Sequence, residues 1–163
     1  GKRHVMMGAS QIDRFGNQNI ACIGPWETPK AQLLGVRGAP GNTINHVTSY
    51  WVPNHNPRAI VSKVDMVSGV GYDRAAELGD GGRFHEIRRV ITNLGVFDFN
   101  TPDRRMRLVS LHPGVGLQAV IDNTGFELVI AEGVDTTPVP TPEILGVLRE
   151  LDPRGYSQKE VVV

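Results

Sequence analysis

Nineteen glycines and eleven prolines stand at the junctions between short apolar runs, not in low-complexity tracts, so this chain must fold into brief elements joined by tight turns. Hydrophobic residues make up 40% of the 163 and charged residues 21%, the balance of one soluble globular domain spanning residues 1–163. Seventeen basic side chains cancel seventeen acidic ones. That leaves no electrostatic footprint for nucleic acid or an anionic membrane surface, so neither is expected as a partner. Cys22 is the single cysteine and cannot close an internal disulfide; with no leader-like segment and no run of about 18 apolar residues, a reducing, cytoplasmic setting is expected.

Along the chain, His4–Gly8 reads as a buried strand. Gln11–Cys22 follows as a hairpin whose turn draws positive φ from Gly16 and Asn17. Ala31–Val36 suits a short strand. After Gly38-Ala39-Pro40-Gly41, Ile44, Val47 and Trp51 recur at helical spacing, with Asn42 or Thr43 as cap and Pro53 as terminator. The β-branched stretch Arg58–Val67 predicts a buried strand, and the glycine-rich residues 73–83 a mobile surface loop. Arg88–Phe99 and Met106–His112 predict an antiparallel strand pair around the turn-forming Asn100-Thr101-Pro102-Asp103. Leu117, Val120 and Ile121 form a short helical stripe capped by Gly125, and Phe126–Ala131 a last strand. Pro142 opens a final helix with Ile144, Val147, Leu148 and Leu151 on its apolar face. Strands and helices alternate without a strict β-α-β rhythm, which predicts an α/β fold with a mixed β-sheet and flanking helices.

The segment Gly35-Val36-Arg37-Gly38-Ala39-Pro40-Gly41-Asn42 is the leading candidate for chemistry. Small residues admit a ligand to the backbone, and the following helix is expected to aim free amides at an anionic oxygen. Arg37 adds a fixed positive charge, and Asn42 a hydrogen-bond donor for a carbonyl gaining negative charge. The same turn also serves as a plain helix start. Asn45 and His46 share that helix and His55 lies beyond it, but no HExxH spacing, paired cysteine or nearby acid accompanies them, so no metal is expected. Ser110, His112 and Asp98 supply triad residue types without the Gly-x-Ser-x-Gly elbow that exposes a nucleophile. The arginines at 88, 89, 104, 105 and 107 suit either phosphate contacts or a salt-bridged edge.

Taken together, the motifs become specific. The run from Met7-Gly8-Ala9-Ser10-Gln11-Ile12-Asp13-Arg14-Phe15-Gly16-Asn17 to Gln18-Asn19 resembles the GA-x-Q-x-D-x-x-G-N-x-N segment of class I coenzyme A transferase beta subunits. Leu94–Phe99, Arg107–Val115 and Thr124-Gly125-Phe126 resemble later strands of the same family. The version Pro40-Gly41-Asn42-Thr43-Ile44-Asn45-His46, where ordinary transferases have a Gly-Gly-Ala-type turn, resembles the beta subunits of its steroid ring-cleaving hydrolase branch.

That resemblance implies a class I CoA-transferase-like fold and an α2β2 heterotetramer with an alpha subunit. It implies action on a cyclic β-keto acyl-CoA in cholesterol catabolism, with coenzyme A part of the substrate and no separate cofactor. It further implies that an amino-terminal section of the beta subunit precedes Gly1. Ordinary transferases place their glutamate nucleophile in that section, and in the hydrolase branch the principal glutamate belongs to the alpha subunit. Carried onto this sequence, the resemblance gives Arg37 and Asn42 as the catalytic contacts and Gly38, Pro40, Gly41, Asn45 and His46 as substrate-lining residues. The alternative within the family is a transferase that moves CoA between carboxylic acids through a glutamyl thioester.

Overall fold

The computed structural model describes residues 3–159. In chain order the strands are β1 (His4–Gly8), β2 (Gln11–Ile12), β3 (Gln18–Asn19), β4 (Cys22–Ile23) and β5 (Ala31–Gln32). After helix α1 (Ala39–Asn45) come β6 (Val47–Val52) and helix α2 (Tyr72–Glu77). The second half holds β7 (Glu86–Thr92), β8 (Gly95–Asp98), β9 (Arg107–Leu111), α3 (Leu117–Asp122), β10 (Val129–Thr136) and α4 (Pro142–Leu151).

Six strands form one mixed sheet in the order β1-β6-β7-β8-β9-β10. The pairs β1/β6, β6/β7 and β9/β10 are parallel, whereas β7/β8 and β8/β9 are antiparallel. The mixed sheet therefore stands as expected. Its core is built on Tyr50, Ile87, Val90, Phe97, Phe99 and Leu108, all essentially inaccessible to solvent. The fully buried Ile12 and Ile60 reach this core from the β2–β3 hairpin and the loop after β6, where they join through one isolated bridge.

The hairpin shows how local sequence fixes the frame. Gly16 sits at φ +83°, and a Cβ there would lie 2.5 Å from Ile87 Cδ1, so only glycine fits both the turn and the contact. Asn17, expected to share the positive φ, does not. It instead ties the hairpin to the start of α2 by donating to Asp13 and Asp73 and accepting from the Gly71 amide. Burial raises the Asp13 pKa above its ordinary value, although the amides of Phe15 and Asn17 and the Asn17 side chain favour the ionised form.

Several expectations change. Val47–Val52 is strand β6, not the continuation of a helix: His46 turns to φ −132°, ψ 152°, and a run of β-branched and aromatic residues slots between β1 and β7. Ile44, Val47 and Trp51 matched a helical period by coincidence. Gly38 is the N-cap of α1, and Asn42 and Thr43 lie inside the helix. Strand β1 is a sheet edge with alternating exposed and half-buried residues, not a buried strand.

Arg58–Val67 forms no strand beyond the bridge at Ile60, because Asn56 Oδ1 accepts the amides of Arg58 and Ala59 and turns the chain after Pro57. Residues 73–83 hold α2 and a 3-10 turn rather than an open loop. Arg88–Phe99 divides into β7 and β8 at Asn93-Leu94, where the Thr92 hydroxyl accepts the amides of Leu94 and Gly95. Of Ala31–Val36 only two residues are strand, and the last strand runs later than expected, over Val129–Thr136.

Asn123, not Gly125, caps α3. Gly125 is constrained by close approach: a Cβ would stand 2.6 Å from the Ile60 carbonyl oxygen. Gly125→Ala should therefore cost about 1–3 kcal/mol in chemical denaturation; an unchanged midpoint would show that the 124–126 segment shifts freely.

Helix α4 forms as expected, with Thr141 accepting from the Ile144 amide and Pro142 in the first turn. None of its residues is buried, and Ile144, Val147, Leu148 and Leu151 are all exposed.

Candidate active site at the ends of β1 and β6

The parallel strands β1 and β6 end side by side, with Gly8 in register with Trp51. Beyond these ends lies a concavity of about 550 Å³ whose lining includes Met7, Gly8, Leu34, Arg37, Asn42 and Trp51. Its walls divide by chemistry. Met7, Leu34 and Trp51 are apolar, while Arg37 and Asn42 face them from the turn and first half of α1. Gln18 lies beneath and donates through Nε2 to the Gly8 carbonyl; its Oε1 is buried without a partner.

Arg37 adopts φ +52°, a left-handed backbone conformation disfavoured for a residue with a Cβ. Glycine is the ordinary occupant of such a turn position. This arginine lines the cavity with no acidic partner within 4 Å among the described residues.

Asn42 offers its amide to the cavity, where the nearest donor contact is a long one of 3.8 Å to Met7 Sδ. Of the expected free amides at the start of the helix, those of Gly38 and Gly41 have no acceptor among the described residues, and only Gly38 lines the cavity. The Ala39 N–H is bonded to the Val36 carbonyl, Pro40 has no N–H, and α1 is only seven residues long. The cavity thus presents one unpaired backbone amide, that of Gly38, beside the side chains of Arg37 and Asn42.

Of the candidate residues, Arg37, Gly38 and Asn42 line the cavity. Pro40, Gly41, Asn45 and His46 do not. Asn45 turns back to donate to the Gly41 carbonyl, and His46 terminates α1 with its Nδ1 buried and unpaired. His85 braces the helix by donating through Nδ1 to the Thr43 carbonyl at 2.7 Å.

His55 sits elsewhere, its ring nitrogens 3.1 Å from the hydroxyls of Thr92 and Thr124. Ser110, His112 and Asp98 never meet. Ser110 pairs with Thr137, His112 donates to the Thr92 carbonyl, and Asp98 binds Arg107 through two bonds of 2.9 and 2.8 Å. Of the remaining arginines, Arg88 and Arg105 pair with acids two residues away, as a salt-bridged edge would.

Met7, Gly8, Leu34 and Trp51 were not among the sequence-derived site residues. Strand alternation over Val47–Val52 would have put Trp51 on the face opposite the buried Tyr50.

The sequence profile of the coenzyme A transferase family matches residues 3–123. The chain belongs to that family. Among its relatives there, the cholesterol ring-cleaving hydrolase IpdB subunit of Rhodococcus jostii is 54% identical over 100% of this chain. The chain spans 65% of that relative's length. The crystal structure of Rhodococcus jostii RHA1 IpdAB superposes with a TM-score of 0.93, covering 99% of this chain and 65% of the matched one. A 3-oxoadipate CoA-transferase subunit of Pseudomonas knackmussii is 34% identical over 91% of this chain and 58% of its own length. The class I CoA-transferase-like fold read from the sequence therefore holds.

Proposed function

We propose that this chain is part of the beta subunit of a hydrolase that opens the ring of a steroid-derived cyclic β-keto acyl-CoA. It acts with an alpha subunit in an α2β2 heterotetramer during cholesterol breakdown in the cytoplasm. The observation that carries the reading is the 54% identity to a cholesterol ring-cleaving hydrolase subunit over the whole length of this chain. The cavity is in keeping with it. An apolar wall facing Arg37 and Asn42 suits an acyl thioester whose ring is apolar and whose oxygens become anionic.

The chemistry balances without a separate cofactor, since coenzyme A arrives as part of the substrate. Water loses a proton to a carboxylate of the partner subunit as its oxygen adds to the ring ketone. The resulting alkoxide collapses to a carboxyl group, and the bond between the ketone carbon and the carbon alpha to the thioester breaks. Its electron pair passes to the thioester as an enolate, which is then protonated on carbon. Arg37 and Asn42 stabilise the oxygen on which this charge develops.

The assembled enzyme should convert a cyclic β-keto acyl-CoA to an opened acyl-CoA bearing a new carboxylate, with no acceptor acid present. Asn42→Ala should lower kcat about tenfold or more while leaving assembly intact. The 34% identity to a 3-oxoadipate CoA-transferase subunit supports a transferase reading instead. A strict requirement for an acceptor acid, with a borohydride-sensitive enzyme-bound thioester, would decide for it.

A further inference from the structure

Helix α1 carries Asn42 at the cavity, yet little in its own sequence holds it together. It is seven residues long, has no side-chain cap at Gly38 and contains Pro40 and Gly41 in its first turn. A helix this short does not persist on local terms. Its anchorage comes from outside and converges on one residue. Thr43 is fully buried; its hydroxyl donates to the Ala39 carbonyl and accepts the amide of Val70 at 3.1 Å. Its carbonyl, among those that a helix end leaves without an internal donor, accepts from His85 Nδ1 at 2.7 Å.

His85 is itself held. Its ring meets that of Tyr72 edge to face, with centroids 4.8 Å apart. The Tyr72 hydroxyl donates to the Ile87 carbonyl and accepts the Ile87 amide, so the backbone of β7 clamps it in both directions. A carbonyl can only accept, which fixes the His85 proton on Nδ1 and leaves Nε2, buried and without a partner among the described residues, as a bare lone pair. The line from β7 through Tyr72 and His85 to Thr43 ends beside Asn42 in the chain. Misplacing a transition-state donor by about 1 Å can cost about a hundredfold in rate. A bond that fixes α1 against the sheet therefore bears on turnover, although His85 does not line the cavity.

We infer that His85 is a positioning residue for the reaction: through the Thr43 carbonyl it sets where Asn42 presents its amide to the acyl thioester. The inference rests on the acyl-CoA reading above and adds to it a residue outside the cavity on which the rate depends.

The test is a double-variant cycle on the assembled enzyme. His85→Leu removes the donor and should lower kcat about tenfold, with KM changed by less than about threefold. His85→Asn, whose Nδ2 stands one bond beyond Cγ as the histidine Nδ1 does, should recover most of the rate. In an Asn42→Ala background, His85→Leu should cost less than about twofold more, because the donor it positions is already gone. His85→Ala, which puts no bulk beneath α1, should follow the same pattern and replaces His85→Leu if that variant does not assemble. Undiminished kcat without the donor, no recovery in His85→Asn, or an equally large loss on top of Asn42→Ala would overturn the inference. Failure of both His85→Leu and His85→Ala to assemble would also overturn it, by making the residue part of the fold. An enzyme that opens no ring but passes CoA to an acceptor acid would reject the hydrolase reading alone, and the cycle, run on the transfer rate, would still decide for or against His85.

Discussion

Arg37→Gly should lower turnover of the cyclic acyl-CoA by about a hundredfold while leaving the protein as stable as before or slightly more so. The two effects have separate origins. At φ +52° the arginine backbone is in a conformation that costs about 1–2 kcal/mol for a residue with a Cβ, and glycine removes that cost. The guanidinium lies at the cavity without an acidic partner among the described residues, so its loss breaks no ion pair of the fold. Its whole contribution is then available to a substrate oxygen that gains charge on the way to the transition state. Arg37→Lys should recover part of the rate, since a point charge replaces a planar fork. Full turnover by the glycine variant would remove Arg37 from the mechanism.

A second large effect concerns acid stability. His55 is 5% exposed, and burial holds its pKa down to about 4. Its hydrogen bonds give the same answer independently. Thr124 Oγ1 donates to the Val120 carbonyl at 2.7 Å, so it receives the Nε2 proton of His55. Thr92 Oγ1 already accepts the amides of Leu94 and Gly95, so it has no lone pair for an Nδ1 proton, and its own hydrogen is shared between Nδ1 at 3.1 Å and the Gly95 carbonyl at 3.4 Å. The neutral ring is satisfied, and a second ring proton has no acceptor.

Above about pH 6.5 neither the folded nor the unfolded chain protonates this residue. Between about pH 6.5 and 4 the unfolded chain takes up a proton that the folded chain refuses, so folding weakens by up to about 3 kcal/mol. Below that window both states are charged and the loss stops growing. His85, lowered by burial despite its bond to Thr43, adds to the same slope. Asp13, raised by burial, acts in the opposite sense at lower pH, where the folded state takes up the proton first. Urea unfolding at about pH 7.5 and about pH 5 should show the decline, and His55→Gln should flatten it whatever its effect on absolute stability. A slope unchanged in the variant would contradict the assignment.

Much of the fold was legible because its signals were local. Gly16 marks the hairpin turn, Pro142 marks the start of α4, and the Asn100–Asp103 turn marks the antiparallel return from β8 to β9. What stayed hidden depends on distant partners. Val47–Trp51 satisfied a helical period, and only the presence of β1 and β7 on either side makes it a central strand. Arg58–Val67 has the residue types of a strand, but Asn56 captures its first amides and the chain turns away.

The candidate site divided in the same manner. Arg37, Gly38 and Asn42 were visible as a small-residue turn bearing a charge. Their apolar counterparts Met7, Gly8 and Trp51 come from two other elements, and Trp51 was assigned to the wrong kind of structure.

Helix α4 carries one more consequence. Its ten residues have no buried side chain, so within this chain their order comes from the Thr141 cap, the Pro142 start and the bonds that Asp152 makes to Tyr156 and Ser157. A helix of that length is marginal in water when left to local terms. Melting of the sheet and fraying of this segment are therefore two thermodynamic events, and a single transition temperature followed on the core describes only the first.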